Sequence, residues 1–342
     1  MYIVVNSFVM GGTTYYSLFD DAMISMRYAK NLAHGHGLVW NAGGERVEGY
    51  TNLLWVLYMA ILHLLPLSVS KVCLAVQISA VGILVGNLWF VGKIAATLSN
   101  DSRIAVLFSL VLTAFYLPLN TCSLLGMEVS VLTLILTASV WLVQCYLREG
   151  QPVLRKLYTL LAIGTLARLD MVVPFGVITL FLLLKDRENR HTHLRTAVPL
   201  FLVAVGSQTL FRLAYYGDIL PNTYYLKMTG YPLLARLSRG LLVLIDFIGN
   251  FNALLVLFPI LYVFQKRNDT GANLLLLLVA CQMGYSIYVG GDAWEWLKFA
   301  NRYISIAMPL LLILLSLMLA GLIEPKREEG TPQLSRRQKT CL

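Results

Sequence analysis

Charge is what this chain of 342 residues has least of: Lys, Arg, Asp and Glu make up 13% of it, about half the share of a water-soluble domain. With 58% of residues in the AVILMFWYC set and a mean hydropathy of +0.69, a pair of ordinary soluble domains is excluded, because no such fold could hide that much apolar surface. Signatures of nucleotide and hydrolytic chemistry are missing too: there is no GxxxxGK[ST], no GxGxxG after a strand, no HExxH and no GxSxG. The five cysteines (Cys73, Cys122, Cys145, Cys281 and Cys341) show no CxxC or metal spacing, so unpaired core thiols are expected. No basic stripe with interleaved aromatics appears, which argues against a nucleic acid partner. The formal charge of +9 is read as membrane topology instead.

What the chain does have is apolar segments, about 2–18, 52–67, 72–95, 104–120, 129–147, 157–168, 171–184, 196–216, 241–264, 272–290 and 303–323. A span needs roughly 20 apolar residues, fewer if short and tilted. With 52–67 lying in the interface and the other ten crossing, sixteen of the 27 Lys and Arg fall on one side, which the positive-inside rule makes cytoplasmic. Were 52–67 to cross, every downstream loop would swap sides and the basic excess would face outward. The expected fold is therefore an all-α polytopic membrane protein, a bundle of about ten transmembrane helices over residues 1–323. Residues 19–70 form its first outer loop of juxtamembrane helices, and 324–342 form a disordered basic cytoplasmic tail. The first segment, broken by Asn6, Gly11 and Gly12, is a weak anchor, and a start upstream of Met1 is one expectation.

The same assignment sorts the acids. Asp20, Asp21, Glu45, Glu48, Glu128, Asp170, Asp218, Asp292 and Glu295 all fall on the outer side, among Gly, Tyr, Trp and Asn, whereas cytoplasmic acids mostly sit beside Lys or Arg. Acids kept at a membrane boundary are costly and point to an outward-facing polar site. Asp20 and Asp21 open a helix expected to run to about Ala33; they either cap it or serve as a general base and a metal or sugar ligand. Arg27, two turns in, faces a phosphate or pairs with an acid. Beyond it, 35–41 and 43–52 read as tight turns carrying His36, Glu45, Glu48 and Tyr50.

Glu128 stands at a helix start, and Arg168 with Asp170 is expected to pair across a tight turn between two short apolar segments. The run 215–227 mixes tyrosines with Asp218 and Lys227, as an aromatic belt or a sugar platform would. In 290–303, Asp292 precedes Lys298 and Arg302, four apart and able to clamp an anionic group from one helix face. A transferase facing outward would draw on a donor that diffuses in the membrane.

The block Asp20-Asp21-Ala-Met-Ile-Ser-Met-Arg-Tyr-Ala-Lys-Asn-Leu32, followed by Gly35-His-Gly-Leu-Val-Trp-Asn41 and Glu48-Gly-Tyr-Thr-Asn52, resembles the GT-C superfamily of polyprenyl-phosphate-dependent glycosyltransferases. The likeness is nearest to the mycobacterial terminal arabinofuranosyltransferase family and, more distantly, to protein O-mannosyltransferases. Gly126-Met127-Glu128, Leu220-Pro-Asn-Thr223, Gly290-Gly-Asp292 and Asn301-Arg-Tyr303 fit the same pattern, and the resemblance spans about 19–310. It implies sugar transfer from a polyprenyl-phosphate donor to a cell-envelope glycan, lipid or protein hydroxyl, on the extracytoplasmic side of a bacterial cytoplasmic membrane. Asp20 and Asp21 would be the catalytic pair and the contacts for a divalent cation (Mg or Mn). Glu128 would line the cavity with His36, Glu48, Tyr50, Lys227 and Asp292, while Arg27, Lys298 and Arg302 as phosphate contacts rest on chemistry more than on motif. Many family members have a longer first span and a C-terminal extracytoplasmic domain, and neither is expected here. The competing reading is a transporter or flippase for a lipid-linked sugar.

Overall fold

The computed structural model describes residues 2–150, 152–292 and 301–324, leaving out the side chains of Glu149 and Lys227. The basic tail expected over 324–342 lies, apart from Glu324, outside the described residues. The chain opens with α1 (Tyr2–Val5) and a hairpin of β1 (Ser7–Met10) and β2 (Thr13–Tyr16). Then come α2 (Asp20–Ala33), α3 (Leu53–Leu64), α4 (Val69–Ser99), α5 (Arg103–Ala114), α6 (Leu117–Leu124), α7 (Val129–Glu149) and α8 (Leu154–Ala167). A 3-10 turn at Leu169–Met171 leads to α9 (Val172–Lys185), α10 (Arg190–Tyr216), α11 (Asn222–Met228), α12 (Leu233–Phe251), α13 (Ala253–Gln265) and α14 (Thr270–Val289). Short α15 (Arg302–Ser305) and α16 (Met308–Ile323) follow.

This is the all-α polytopic architecture the composition demands. Among the described residues four single helices, α4, α7, α10 and α14, are long and apolar enough to cross a membrane, or six spans if each of two bent helix pairs counts as one. The bent pairs are α5 with α6, at 48°, and α12 with α13, at 94°. That is fewer than the ten read from hydropathy, in part because α16, at 16 residues, is short, and for three further physical reasons. Residues 2–18 are not a span: Thr13 to Tyr16 are β-branched or aromatic, and Gly11 and Gly12 take φ of +59° and +78°, so the segment folds back as a hairpin with Ser7 opposite Tyr16. Helices α8 and α9 are 14 residues each, about 21 Å at 1.5 Å per residue, short of the ~30 Å hydrocarbon core. The segment 241–264 is broken at Asn252, whose φ of +79° leaves the helical region.

The core forms around α7 and α16. On α7, Val129, Leu132, Leu136, Val140 and Val143 recur at helical spacing and are buried. Helix α16 is apolar all round and accordingly buried along most of its length. Leu202, Val203 and Leu210 of α10 and Val81, Val85 and Trp89 of α4 remain exposed, as lipid-facing side chains would. A second apolar cluster seats α2 and α3 on α4: Met26, Ala29, Trp55, Val56, Met59, Val72 and Val76 pack together. Helix α3 is 12 residues, about 18 Å long, too short to cross. Cys73, Cys122 and Cys281 are free thiols.

Candidate functional site

Eight separate pieces of chain meet at one end of the bundle: the start of α2, the loop before α3, the start of α7, the α8–α9 junction, the second half of α10, α11, the start of α12 and the end of α14 with α15. They enclose a cavity of about 1140 Å³.

Helix α2 carries Asp20 and Asp21 as its first two residues, where acids suit the helix dipole. They do not cap it with their side chains. Asp20 is exposed, does not line the cavity, and accepts a hydrogen bond from the Asp21 backbone N at 2.8 Å. Asp21 lines the cavity with its side chain 40% accessible, and its Oδ2 accepts from Arg302 Nη1 at 2.7 Å. Arg302 is buried between two acids, its Nε 3.0 Å from Asp292 Oδ1 while its backbone N donates to Asp292 Oδ2 at 3.0 Å. Burial by itself lowers its pKa, but Asp292, with Tyr303 and Asp21, outweighs that and raises it, so the guanidinium stays charged.

The expected Arg168–Asp170 pair is present. Arg168 grips Asp170 with Nε and Nη2 at 2.7 and 2.6 Å, and its Nη1 reaches Glu128 Oε1 at 2.8 Å. Asn52 donates to the other Glu128 oxygen at 2.8 Å and accepts from Ser25 at 3.0 Å, which ties the loop before α3 to α2 and α7. Burial pushes the Glu128 carboxyl up, but the charge of Arg168 and the hydrogen bonds from Arg168 and Asn52 prevail and hold it below its ordinary value. The Tyr303 ring lies 5.4 Å from both the Arg168 and the Arg302 guanidinium, so one aromatic ring serves two cations.

The loop between α2 and α3 is fastened to α10. Arg212 Nε donates to both Glu48 oxygens, at 3.0 and 2.8 Å, in a fully buried pair. Burial outweighs Arg212 and raises the Glu48 pKa. Tyr50 OH meets Tyr216 OH at 3.0 Å, Tyr216 OH donates to Leu38 O at 2.9 Å, and Leu38 N donates to Tyr215 OH at 3.1 Å.

Tyr50, Glu128, Asp292 and Arg302 thus stand with Asp21 in the cavity wall. Glu48 is buried behind the wall, where it pairs with Arg212. Arg27 is directed elsewhere: its Nε donates to Trp40 O at 3.0 Å and its guanidinium sits 5.7 Å over the Trp40 ring, outside the lining. His36 is exposed and outside the lining too. Lys298 and the side chain of Lys227 lie outside the described residues.

Asp20 and Asp21 do not fit as a cation pair. Asp21 is engaged with Arg302, Asp20 with backbone, and among the described residues no three His, Cys, Asp or Glu gather as a metal site. A hard divalent ion takes six or more oxygens, so no step is assigned to one.

Three cavity cations escaped the sequence analysis: Arg212, Arg236 and Arg239. A lone Arg inside the apolar run 196–216 is a signal that could have found Arg212. Arg236 and Arg239, three apart on one face of α12, could have been found from its amphipathic pattern.

No family model matches the chain, and no solved structure matches it. The "Terminal beta-(1->2)-arabinofuranosyltransferase" of Mycobacterium tuberculosis (strain ATCC 25618 / H37Rv) is 25% identical over 243 residues, covering 68% of this chain and 37% of that protein. The chain therefore spans well under half the length of this relative, and the similarity is that of a distant one.

Proposed function

We propose that the chain is an integral-membrane glycosyltransferase of cell-envelope synthesis. It would move a sugar from a polyprenyl-phosphate donor to a hydroxyl of an envelope glycan, lipid or protein, on the extracytoplasmic side of a bacterial cytoplasmic membrane. The observation that carries this reading is the state of Asp21. Of the carboxylates in the cavity wall, Glu128, Asp170 and Asp292 are buried in ion pairs, with side-chain exposures of 6%, 5% and 0%. Among the described residues, Asp21, at 40%, is the wall carboxylate a substrate can touch. The distant similarity to an arabinofuranosyltransferase supports the same chemistry.

In this mechanism the acceptor hydroxyl oxygen forms a bond to the anomeric carbon while the bond from that carbon to the phosphate oxygen breaks. The phosphate leaves with the electron pair and Asp21 takes the hydroxyl proton. Arg302 holds the Asp21 carboxylate in place, itself fixed from behind by Asp292. A single displacement inverts the anomeric centre. The apolar part of the wall, with Val172, Val173, Phe201, Val205 and Leu226, accommodates the start of a polyprenyl chain.

The test is transfer of radiolabelled sugar from a panel of polyprenyl-phosphate donors in membranes expressing the wild type, Asp20→Asn and Asp21→Asn. Lipid-donor-dependent product that Asp21→Asn loses supports the assignment. Product that survives Asp21→Asn removes it.

A further inference from the structure

Helices α4 and α5 leave a groove of about 530 Å³ between them, walled by Trp89 and Lys93 of α4 and by Leu110, Val111, Ala114 and Phe115 of α5. Two small residues keep it open: a Cβ on Gly92 would only reach ordinary contact with Leu110 Cδ2, at 3.5 Å, and Ala114 has no side chain long enough to fill the space. The groove is remote from the cavity. Helices α4 and α7 run parallel, with Asn87 accepting from Thr137 and the Thr97 carbonyl from Arg148. Trp89 meets Trp141, which lies about 20 Å along α7 from Glu128 at 1.5 Å per residue.

The groove is apolar along its length and basic at one end. Val85 and Trp89 are exposed one and two turns before Lys93, and Leu107, Val111 and Phe115 form a matching exposed stripe on α5. Lys93 lies about 9 Å inside the end of α4, its ammonium 5.3 Å over the Trp89 ring. A Lys at that depth runs its stem along apolar surface and turns its charge toward the lipid head groups. At the same end of the bundle, Arg103 opens α5 and Arg148 donates to Thr97 O, one turn beyond Lys93. Asp101, at the turn between α4 and α5, is exposed, and among the described residues neither it nor any other acid pairs with these three cations.

We propose that the α4–α5 groove binds an anionic glycerophospholipid. One acyl chain lies along Trp89, Leu110, Ala114 and Phe115, and the phosphate answers Lys93 at the end where Arg103 and Arg148 stand. A bare hydrocarbon would leave the ammonium unmatched, and a zwitterionic head would bring a second cation beside it. A second copy of the chain supplies no counter-charge from its long spans, since α4, α10 and α14 contain no Asp or Glu. The site is independent of the chemistry at Asp21.

The experiment places the purified full chain in phosphatidylcholine nanodiscs and titrates in phosphatidylglycerol brominated on its acyl chains, or brominated phosphatidylcholine at the same fraction. Bromine quenches tryptophan on contact, so Trp89 is the reporter. Quenching by the anionic lipid is expected to exceed that by the zwitterionic one, and the excess to vanish in Trp89→Phe. Lys93→Gln is expected to weaken the preference about fivefold, the effect of one basic group near an anionic lipid surface, and Lys93→Arg to keep it. Ala114→Phe, which fills the groove, is expected to abolish the excess. A melting curve verifies that each variant is folded. Equal quenching by the two lipids in the wild type overturns the site. An undiminished preference in folded Lys93→Gln overturns it too, because it reports general enrichment of anionic lipid around the protein. Two chains per disc by single-molecule photobleaching, reduced to one by Ala114→Phe, would make a second copy the occupant and also overturn the lipid.

Discussion

Asp21 Oδ2 and Arg302 Nη1 lie 2.7 Å apart across 281 positions of sequence. The contact joins the first turn of α2 to the short helix before α16 and leaves the Asp21 carboxylate anchored on one oxygen while part of it faces the cavity. A base held this way needs no search for its orientation when the acceptor arrives.

Asp21→Asn keeps the size of the side chain and removes the base. Transfer is expected to fall by about 10²–10⁴-fold, the usual range for a positioned general base. Asp20→Asn, outside the cavity, is expected to keep the rate within a few-fold. Initial rates at saturating donor separate the two.

Arg302→Lys retains one charge but cannot bridge Asp21 and Asp292 together. Asp292 then stays buried but loses its guanidinium contact, a loss of up to about 3–5 kcal/mol for broken buried pairs. A lower melting temperature in detergent, together with a reduced rate, is the expected outcome; an unchanged melting curve refutes the bridging role.

The two buried glutamates give pH slopes of opposite sign. Glu128 is held below its ordinary value of 4.5, so its contribution is complete above that pH and is lost as pH falls below 4.5 through the lowered folded value. Glu48 is raised above 4.5, so the folded state holds its proton longer and stability declines as pH climbs from 4.5 through the raised value. Melting curves across this range should show Glu128→Gln flattening the acid limb and Glu48→Gln removing the decline above it.

Gly240→Ala places a methyl group where the Ile287 carbonyl already lies. Overpacking of this kind costs about 1–3 kcal/mol and here would also push Arg236 and Arg239 away from the cavity. Thermal melts read the first effect. Weaker donor binding reads the second.

Inversion at the anomeric carbon follows from a single displacement. Proton NMR of the product formed from a donor of known configuration checks it, and retention would require a second nucleophile in the wall.

Much of this arrangement is local and therefore legible. The bounds of α2 follow from paired acids at its start and the buried stripe of Ala22, Ser25, Met26 and Ala29. The Arg168–Asp170 turn is two residues wide, so spacing alone brings the partners together. What could not be read is long-range. Nothing in the neighbourhood of Glu128 names Arg168 and Asn52 as its partners, and nothing near Glu48 names Arg212, since α10 closes those contacts only after folding. The hairpin was misread because hydropathy counts Phe8, Val9 and Met10 as span while their turn chemistry favours strands. Arg236 lies ahead of the apolar segment read from 241, so hydropathy alone does not put it on α12.

The α2–α3 loop is stitched to α10 at Leu38, Glu48 and Tyr50. A flap sewn down at three points does not swing, so this loop is a wall and not a door. The other flank of the cavity is built differently: there α11 and α12 supply Tyr224, Leu226 and Ala235 to the lining, and exposed Leu241, Leu242 and Ile245 continue α12 outward. For the lipid donor proposed above, approach on that side would be sideways from the oil and not downward from the water, and the fluidity of the surrounding lipid would then set how fast the protein is loaded.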